Sequence, residues 1–462
     1  MKVMKFGGGC LKNYEHLLKT AEIIKAEEDC PVVIVSAISG ITDFLKKGIQ
    51  MAKESKKKAS EIIPEIIKDI RDKHEYICEA SIKNDDIQHR TMDEIESRLK
   101  KLGRLFYGIS YTEEVTKSLK ALILSYGERL SVFVLSGILK SQCKDSTALE
   151  TDKIGLITDE SFENATAILN EVSRNLKAIV LPLIKKGVVP VITGYFGRTH
   201  DGRVTTFGRN GSDYSAAVIA YGIGSPLLEI WKDVDGFMSA DPKITKSPDK
   251  IDRLSYYEAA ELSYFGAKVM HPRTVEPLVD LGIPILIKNL YEPESKGTEV
   301  LPGGYESEDV VKSVTYNRQI SVLRIHGPGV GFKPGIIAEI GRLLSEKGIN
   351  IYSVITSQTC INLLVNKNDS RKSYESIKKI VGGVIERVDL EEDIALIAVV
   401  GEGLLKKKGV MARVFTAVAS ENINIKMISL GASEVACYFI VLENDVEKAV
   451  NAIHREFFGH IQ

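Results

Sequence analysis

A glycine-rich turn near the amino terminus could hold an anion. The sequence KFGGG (residues 5–9) ends a short run, Val3 to Phe6, that predicts a β-strand. Glycines let backbone N–H groups approach a ligand closely, and the dipole of a following helix favours negative charge. Lys5 would lie beside such an anion as a point charge. A tight strand-to-helix connection would have the same composition, and the chain has no G-x-x-x-x-G-K-[ST] phosphate loop.

A second group of functional residue types precedes an apolar helical pattern. The sequence TTFGRNGSDYS (residues 205–215) brings Arg, Ser and Asp together with two glycines. Arg209 could bind a carboxylate or a phosphate through two hydrogen bonds. Ser212 or Asp213 could cap the helix, but a cap requires only one of them. The combination therefore favours a binding site over a helix cap alone.

An Asp-rich turn and two smaller polar groups could complete a site. The sequence WKDVDG (residues 231–236) follows a predicted strand, and such turns often lie at the carboxyl edge of a sheet, where α/β proteins bind ligands. A simple Asx turn would look the same. Thr42 follows the second predicted strand, and Glu128 begins an apolar helical pattern. Both side chains could bind an ammonium group, and each alone could be a helix cap.

A lone lysine lies in the apolar segment FGAKVMHP (residues 265–272). Lys268 in this context is not typical of a solvated surface residue. His271, which precedes Pro272, is more typical of a structural residue than of a catalytic one.

The elements that must position these residues alternate between strands and helices. Apolar, β-branched runs predict buried strands. Such runs occur at residues 3–6, 31–35, 187–193, 227–231 and 283–288. Helical patterns separate them, so we expect an α/β domain with a mainly parallel sheet. Residues 43–142 carry apolar positions at helical spacing, which predicts a helical excursion that caps the sheet; a partner-binding module would have a similar pattern.

Composition excludes several classes of protein. The chain has 462 residues, enough for about three domains. Its 61 basic and 62 acidic residues leave a net charge of -1, so no overall basic field would attract nucleic acid or an anionic membrane. We find neither a signal peptide nor an apolar run of membrane-spanning length. The six cysteines have no C-x-x-C spacing, which indicates reduced thiols in the cytoplasm.

The C-terminal third contains an internal repeat. A Glu-, Pro- and Gly-rich stretch at 291–304 predicts a boundary. Beyond it, a glycine followed by the sequence INI occurs twice at the same spacing. Gly335 and Asn350 in the first copy match Gly409 and Asn424 in the second. Two copies of a βαββαβ unit, each about 70 residues long, fit this region. The repeat has no obvious catalytic group, which suggests ligand sensing or assembly.

Taken together, the motifs resemble the aspartate kinases of the amino acid kinase family, over essentially the whole chain. They appear in the family's order: KFGG at 5–8, SA-x4-T at 36–42, GER at 127–129, GR-x-GSDYSA at 208–216, W-x-DVDG at 231–236, DP-K at 241–243 and FGAK-x-x-HPRT at 265–274. The repeat resembles tandem ACT domains. The resemblance implies a carbamate-kinase-like three-layer domain over 1–312 and two ferredoxin-like ACT domains at 316–390 and 391–462, with no homoserine dehydrogenase domain after them.

The resemblance implies transfer of the γ-phosphoryl group of ATP, with Mg²⁺, to the β-carboxylate of L-aspartate, the first step of lysine, threonine and methionine biosynthesis. Lys5 and Asp213 would be catalytic. The residues that would bind aspartate are Ser36, Thr42, Glu128, Arg209 and Ser212. The residues that would bind the nucleotide are Lys5, Phe6, Gly7, Gly8, Lys232, Asp233, Met238, Lys243 and Lys268. ATP and water would hold the magnesium, so no metal site built by the protein is expected.

The sequence also departs from the family pattern. The usual KFGGTS has Gly9 and Cys10 instead of Thr and Ser, and the usual GRGGSD has Asn210 instead of Gly. The usual Thr, Tyr and Arg of the nucleotide edge are replaced by Lys232, Met238 and Lys243. In the ACT copies, Cys360 and Ala436 replace the usual Asn, so the pattern does not identify the effector.

Two other functions fit part of this pattern. One is a regulatory paralogue with weakened catalysis that senses amino acids through its ACT domains. The other is a kinase that acts on glutamate or a nucleotide, which the motif at 265–274 and the ACT pair disfavour. We expect a working aspartate kinase because Lys5, Glu128, Arg209 and Asp213 are all present. By resemblance it would form a homodimer or homotetramer through its ACT domains, bind an amino-acid effector there, and contact neither nucleic acid nor a membrane.

Overall fold

A computed structural model describes residues 1–54, 58–208, 210–303 and 310–459. These residues form two compact units. The first unit comprises Met1–Phe237, Asp252–Tyr256 and the described part of Lys268–Gly304. The second unit comprises Met238–Ile251, Tyr257–Ala267 and the described part of Tyr305–Gln462.

The first unit is built on an eight-stranded sheet. The strands of this unit are β1 (Val3–Phe6), β2 (Val32–Val35), β3 (Ser146–Leu149), β4 (Val189–Thr193), β5 (Phe196–Arg198), β6 (Val204–Thr206), β7 (Leu228–Lys232), β8 (Arg253–Ser255), β9 (Ile285–Asn289) and β10 (Thr298–Leu301). The sheet has the order β3-β4-β2-β1-β7-β9-β10-β8, while β5 and β6 pair separately. Adjacent strands of the eight-stranded sheet are parallel, except for the antiparallel pair β9 and β10. The expectation of a mainly parallel sheet is therefore confirmed.

Helices cover this sheet. They are α1 (Tyr14–Ala26), α2 (Ile41–Glu54), α3 (Ala59–Ser81), α4 (Asp85–Thr112), α5 (Lys117–Leu124), α6 (Tyr126–Ser141), α7 (Leu169–Lys185) and α8 (Gly211–Ile223), with 3-10 helices at Gly8–Leu11 and Pro272–Leu281. The segment interpreted as a helical excursion contains α2 to α6. Its apolar residues Ile66, Ile70, Leu99 and Phe106 join the same core cluster as Met4 of β1, so these helices extend the core of the sheet.

Contrary to the expectation from the sequence, one helical segment among the described residues has the length and composition of a membrane span. Lys117–Ser141, which contains α5 and α6, has a mean hydropathy of 1.5 in its most apolar window, and 89% of that window is buried inside the protein. A buried core helix passes the same test of length and hydropathy. The segment is therefore weak evidence for a membrane.

The second unit contains two four-stranded antiparallel sheets. Its strands are β11 (Ser313–Asn317), β12 (Ile320–His326), β13 (Ile351–Thr356), β14 (Cys360–Asn366), β15 (Arg387–Glu391), β16 (Ile394–Val400), β17 (Met427–Ser429) and β18 (Ala436–Leu442). Its helices are α9 (Tyr256–Phe265, from Tyr257 onward), α10 (Ile336–Ser345), α11 (Ser370–Lys378), α12 (Val410–Ser420) and α13 (Val446–Phe458), with 3-10 turns at Lys367–Asp369 and Glu443–Asp445.

The two repeats do not divide at a single point of the chain. The first sheet, β13-β14-β12-β15, follows the expected βαββαβ order within one copy. The second sheet, β11-β16-β18-β17, takes its fourth strand from β11, which precedes the whole first copy. Strand β16 is buried along its full length, so both of its edges require a hydrogen-bonding partner. Strand β11 therefore lies outside the segment 391–462 predicted for the second ACT domain, while β12 to β15 span 320–391 and β16 to β18 span 394–442.

Candidate active site

A buried carboxylate organises the carboxyl edge of the first unit's sheet. Asp213 lies in the first turn of α8 and is fully buried. Lys5 of β1 forms an ion pair with its Oδ1, and Nζ of Lys232, the last residue of β7, lies 3.0 Å from its Oδ2. The backbone N–H of His271 donates a third hydrogen bond to Oδ2 at 3.2 Å. Such partners are what a buried charge requires, since an unpaired one is strongly destabilising.

The charges of this cluster do not cancel. Burial alone would raise the pKa of the Asp213 carboxyl, but the charges of Lys232 and Lys5 outweigh burial and hold that pKa well below its usual range. Burial lowers the pKa of the Lys5 ammonium; Asp213 opposes this effect and repulsion from Lys232 adds to it. Two ammonium groups thus share one carboxylate, and the remaining positive charge favours an anionic ligand.

The glycine turn leaves open the space beside these ammonium groups. Gly7 donates its N–H to the carbonyl of Trp231 at 3.1 Å. A Cβ at Gly7 would lie 3.4 Å from Nζ of Lys5 and 3.6 Å from Cδ of Lys232. Phe6 is fully buried and its ring stacks on Trp231, with centroids 5.8 Å apart, so its side chain belongs to the core beneath the turn.

Gly9, which replaces the Thr that is usual in the family, lies close to the side chain of Asp233. A Cβ at Gly9 would lie 2.5 Å from Cγ of Asp233, which a real side chain could occupy only if Asp233 moved. Asp233 instead pairs with Lys12, whose Nζ lies 2.8 Å from Oδ2. Partial burial of Asp233 would raise its pKa, but the bond from Lys12 outweighs burial and lowers it. The sequence did not indicate the role of Lys12, because nothing local connects positions 12 and 233.

A cavity of about 620 Å³ opens in the same unit. Gly8 and Ser212, the chain neighbours of Gly7 and Asp213, are among the residues that line it. Its lining also contains the other described residues that we expected to bind aspartate, namely Ser36, Thr42 and Glu128. The structure therefore brings together residues from four separate sequence motifs around one cavity.

Glu128 has an unusual environment in this cavity. It lies in the first turn of α6, and its Oε1 accepts the backbone N–H of Ala37 at 3.1 Å. Its Oε2 is buried without a hydrogen-bond partner among the described residues. Burial raises the pKa of Glu128 to about 8. A buried carboxylate with one unsatisfied oxygen is suited to an ammonium ligand, which would supply both the charge and the hydrogen bond.

The turn before α8 explains a second departure from the family pattern. Asn210 replaces a glycine there and adopts φ 61°, in the left-handed region, which Asn tolerates better than other non-glycine residues. The replacement therefore keeps the backbone conformation that leads into α8. Arg209, which we expected to bind the substrate carboxylate, lies outside the described residues.

Arg129 has a role that the sequence did not indicate, and His271 has one role that the sequence suggested and one that it did not. Arg129, next to Glu128, forms ion pairs with Glu150 and Asp152, the latter at 2.7 Å between Nη2 and Oδ2. It therefore fixes the start of α6. The ring of His271 accepts the N–H that begins the 3-10 helix at Pro272–Leu281, and burial lowers the pKa of this ring to about 4. Its ring is structural, as the sequence suggested, while its backbone N–H contacts Asp213.

Three residues expected to bind the nucleotide make no contact that the structure records with Lys5, Asp213 or Lys232. Lys268, in the first unit, is exposed to solvent. Met238 and Lys243 belong to the second unit. There the carbonyl of Met238 accepts the Ser313 hydroxyl at 2.8 Å, and the backbone N–H of Lys243 donates to Asp241 at 2.9 Å.

Comparisons with known proteins agree along the whole chain. Residues 1–289 match the amino acid kinase family, and residues 315–378 and 397–457 each match an ACT domain. The chain is 31% identical to aspartokinase 2, chloroplastic, of Arabidopsis thaliana, over 99% of this chain and 84% of that protein. It is 29% identical to the bifunctional aspartokinase/homoserine dehydrogenase of Buchnera aphidicola, of which it spans 56%.

Solved structures show the same similarity. The fold matches the crystal structure of Escherichia coli aspartokinase III in complex with aspartate and ADP (R-state) with a TM-score of 0.85 and 27% identity, over 99% of both chains. It matches the complex of that enzyme with lysine and aspartate (T-state) with a TM-score of 0.79, at the same identity and coverage. The chain therefore belongs to the amino acid kinase family, as an aspartate kinase whose catalytic domain is followed by two ACT domains.

Proposed function

We propose that this chain transfers the γ-phosphoryl group of ATP to the β-carboxylate of L-aspartate, which gives 4-phospho-L-aspartate and ADP. A carboxylate oxygen forms a bond to the γ-phosphorus, and the bond to the β,γ-bridging oxygen breaks with its electrons passing to ADP. The protein must supply positioning and charge stabilisation rather than a covalent partner. The observation that carries the proposal is the Lys5–Asp213–Lys232 cluster, which has an excess of positive charge beside a cavity that contains Glu128.

Lys5 and the backbone N–H of Gly8 stabilise the charge on the transferring group, since the carbonyl of Trp231 already accepts the N–H of Gly7. Lys5 is buried, so its ammonium acts where water screens little. Asp213 does not touch the phosphate in this proposal. It holds the ammonium groups at the sheet edge before the substrates arrive, which reduces the reorganisation required during the reaction.

Aspartate binds in the cavity through both of its charged ends. Glu128, with Thr42, accepts the α-ammonium group, for which the unpartnered Oε2 is the supporting observation. Arg209 binds the α-carboxylate, a role that rests on the resemblance alone. Ser36 and Ser212 contribute hydroxyl groups from the cavity wall.

ATP brings Mg²⁺, which neutralises charge on the phosphates. Within the described ranges, no group of three or more His, Cys, Asp or Glu residues could hold a metal ion. From the family resemblance, we propose that phosphate oxygens and water hold the magnesium. Asp233, Met238, Lys243 and Lys268 are proposed to contact the nucleotide, as the family resemblance implies.

We also propose that an amino-acid effector acts through the ACT domains and that two or four copies assemble through them. The relative named lysine-sensitive aspartokinase 3 of Escherichia coli, 27% identical over 99% of each chain, supports regulation of this kind. Cys360 and Ala436 replace the usual Asn of the ACT copies, so binding measurements must identify the effector. All six cysteines are unpaired, which supports a reducing compartment such as the cytoplasm.

Coupled ADP release with aspartate or glutamate as acceptor tests the function. We expect aspartate-dependent turnover, and a loss of at least about 100-fold in Asp213→Asn because the two ammonium groups lose their anchor. Asp93→Asn, at an exposed position of α4, is the matched control and should leave turnover unchanged. A folded wild-type chain without aspartate-dependent ADP release contradicts the proposal, and faster turnover with glutamate indicates a different acceptor.

A further inference from the structure

Lys232 lies on the strand next to that of Lys5, two residues beyond Ile230, which is the register partner of Lys5. Strands β1 and β7 are parallel neighbours, and each carries its lysine at or near its carboxyl end. Both ammonium groups form ion pairs with the carboxylate of Asp213, mainly through different oxygens. The Lys5 side chain is 4% exposed and that of Lys232 is 15% exposed, so the second ammonium is the more accessible of the two.

One lysine is enough to neutralise the carboxylate of Asp213. Lys5 already neutralises this carboxylate, and the backbone N–H of His271 adds a hydrogen bond. Lys232 therefore brings a second positive charge into a nearly buried site, at a cost in desolvation and in repulsion from Lys5. An anion that contacts both ammonium groups would offset this cost.

The backbone leaves room for such an anion. A Cβ placed on Gly7 would lie 3.4 Å from Nζ of Lys5 and 3.6 Å from Cδ of Lys232. The absent side chain thus keeps one space open to both lysines. A phosphate chain has the size and charge to contact two ammonium groups at once.

We propose that Lys232 is a second phosphate-binding cation, which acts with Lys5 on the terminal phosphates of the nucleotide and stabilises the charge that develops during phosphoryl transfer. This inference rests on the proposed function. The bond that forms joins the aspartate oxygen to the γ-phosphorus, and the bond that breaks returns its electrons to ADP, so the reaction takes no proton from Lys232. The contribution of Lys232 to affinity should therefore grow with the number of phosphates on the ligand.

Binding of ADP and of adenosine, measured by calorimetry, separates this role from a purely structural one. Lys232→Gln removes the charge but retains an N–H donor for Asp213. We expect ADP to bind roughly 10- to 100-fold more weakly to this variant, as for the loss of a hydrogen bond from a charged group, while adenosine binding stays unchanged. Lys232→Arg should restore the preference for ADP. Lys25→Gln, in the last turn of α1, is the matched control for loss of one positive charge.

Equal ADP affinity in wild type and Lys232→Gln would overturn the inference. An equal loss for ADP and adenosine would overturn it too, because a distorted site weakens both ligands. Thermal unfolding checks that each variant is folded, and Lys232→Met carries the same expectation if the glutamine variant is not. The binding measurements with ADP and adenosine require no aspartate. If the wild-type chain binds ADP but does not phosphorylate aspartate, the proposed function is contradicted. The role of Lys232 in phosphate binding can still be tested in that case.

Discussion

Replacing Glu128 by glutamine should stabilise the first unit at alkaline pH. The glutamine side chain would closely mimic the protonated acid: its amide oxygen can still accept the N–H of Ala37, and it carries no charge to bury. In wild type the pKa of Glu128 is raised by burial to about 8 from its ordinary value of 4.5. The folded state therefore keeps a proton that the unfolded chain has already released between these two pH values.

The size and sign of the effect follow from this pKa. Between pH 4.5 and 8 the unfolded state binds fewer protons than the folded state, so the free energy of unfolding falls as the pH rises. At about 1.4 kcal/mol per pH unit, this interval corresponds to about 5 kcal/mol. The stabilising contribution of the protonated acid is complete below pH 4.5 and is lost as the pH rises through about 8. The glutamine variant should show no such loss.

Urea unfolding of the ligand-free protein at several values from pH 5 to pH 9 measures the difference. The single tryptophan, Trp231, lies in β7 and is only 3% exposed, so its fluorescence reports on unfolding of this unit. We expect similar unfolding free energies for wild type and Glu128→Gln at pH 5 and an increasing advantage of the variant above pH 6. Glu61→Gln, at an exposed position of α3, is the control and should follow wild type. If the curves of wild type and Glu128→Gln run parallel across this range, the assigned burial of an ionisable carboxyl is wrong.

Three more outcomes can be measured. Because an ammonium substrate requires the ionised form of Glu128, whose pKa is about 8, KM for aspartate should fall about 50-fold from pH 6 to pH 8, and a pH-independent KM in wild type would contradict this role. Gly9→Ala should lower the free energy of unfolding by up to about 1 kcal/mol, because Asp233 must turn away from the added Cβ and lose its partly exposed ion pair with Lys12. Gly108→Ala, on an exposed face of α4 with nothing within 4 Å of the added Cβ, should instead raise it by up to about 1 kcal/mol; a gain in both alanine variants would exclude the steric argument. Asn210→Val should cost about 1–2 kcal/mol in urea unfolding relative to Asn210→Gly because φ is 61° there, and equal stability of these two variants would show that the turn is not strained.

Local sequence patterns were sufficient to predict much of the fold and to identify the main residues of the site. The β-branched runs predicted β1, β2, β4, β7 and β9 to within about two residues, because continuous burial leaves a continuous apolar sequence. The short strand β8 has an exposed first residue and no such run. Edge strands of three or four residues carry too little pattern to be recognised.

The contacts around Asp213 show why the rest of the site could not be predicted. Lys5 and Asp213 were identified through motifs, but their pairing with Lys232 joins three distant parts of the chain. The N–H of His271 has no side-chain signature at all, since any residue there supplies the same backbone donor. Residue types and spacing could thus nominate candidates, while the arrangement depends on strand order.

The origin of β11 bears on the order in which the C-terminal region can fold during synthesis. Strand β11 is made first, yet its partner β16 follows roughly 80 residues later, after every strand of the other sheet. The sheet of β12 to β15 can close as soon as β15 has left the ribosome, whereas β11 must wait unpaired for the later half. A chain truncated after Glu391 and released should therefore hold one closed sheet and one unpaired strand edge, which is a surface that chaperones recognise and that can pair with other chains.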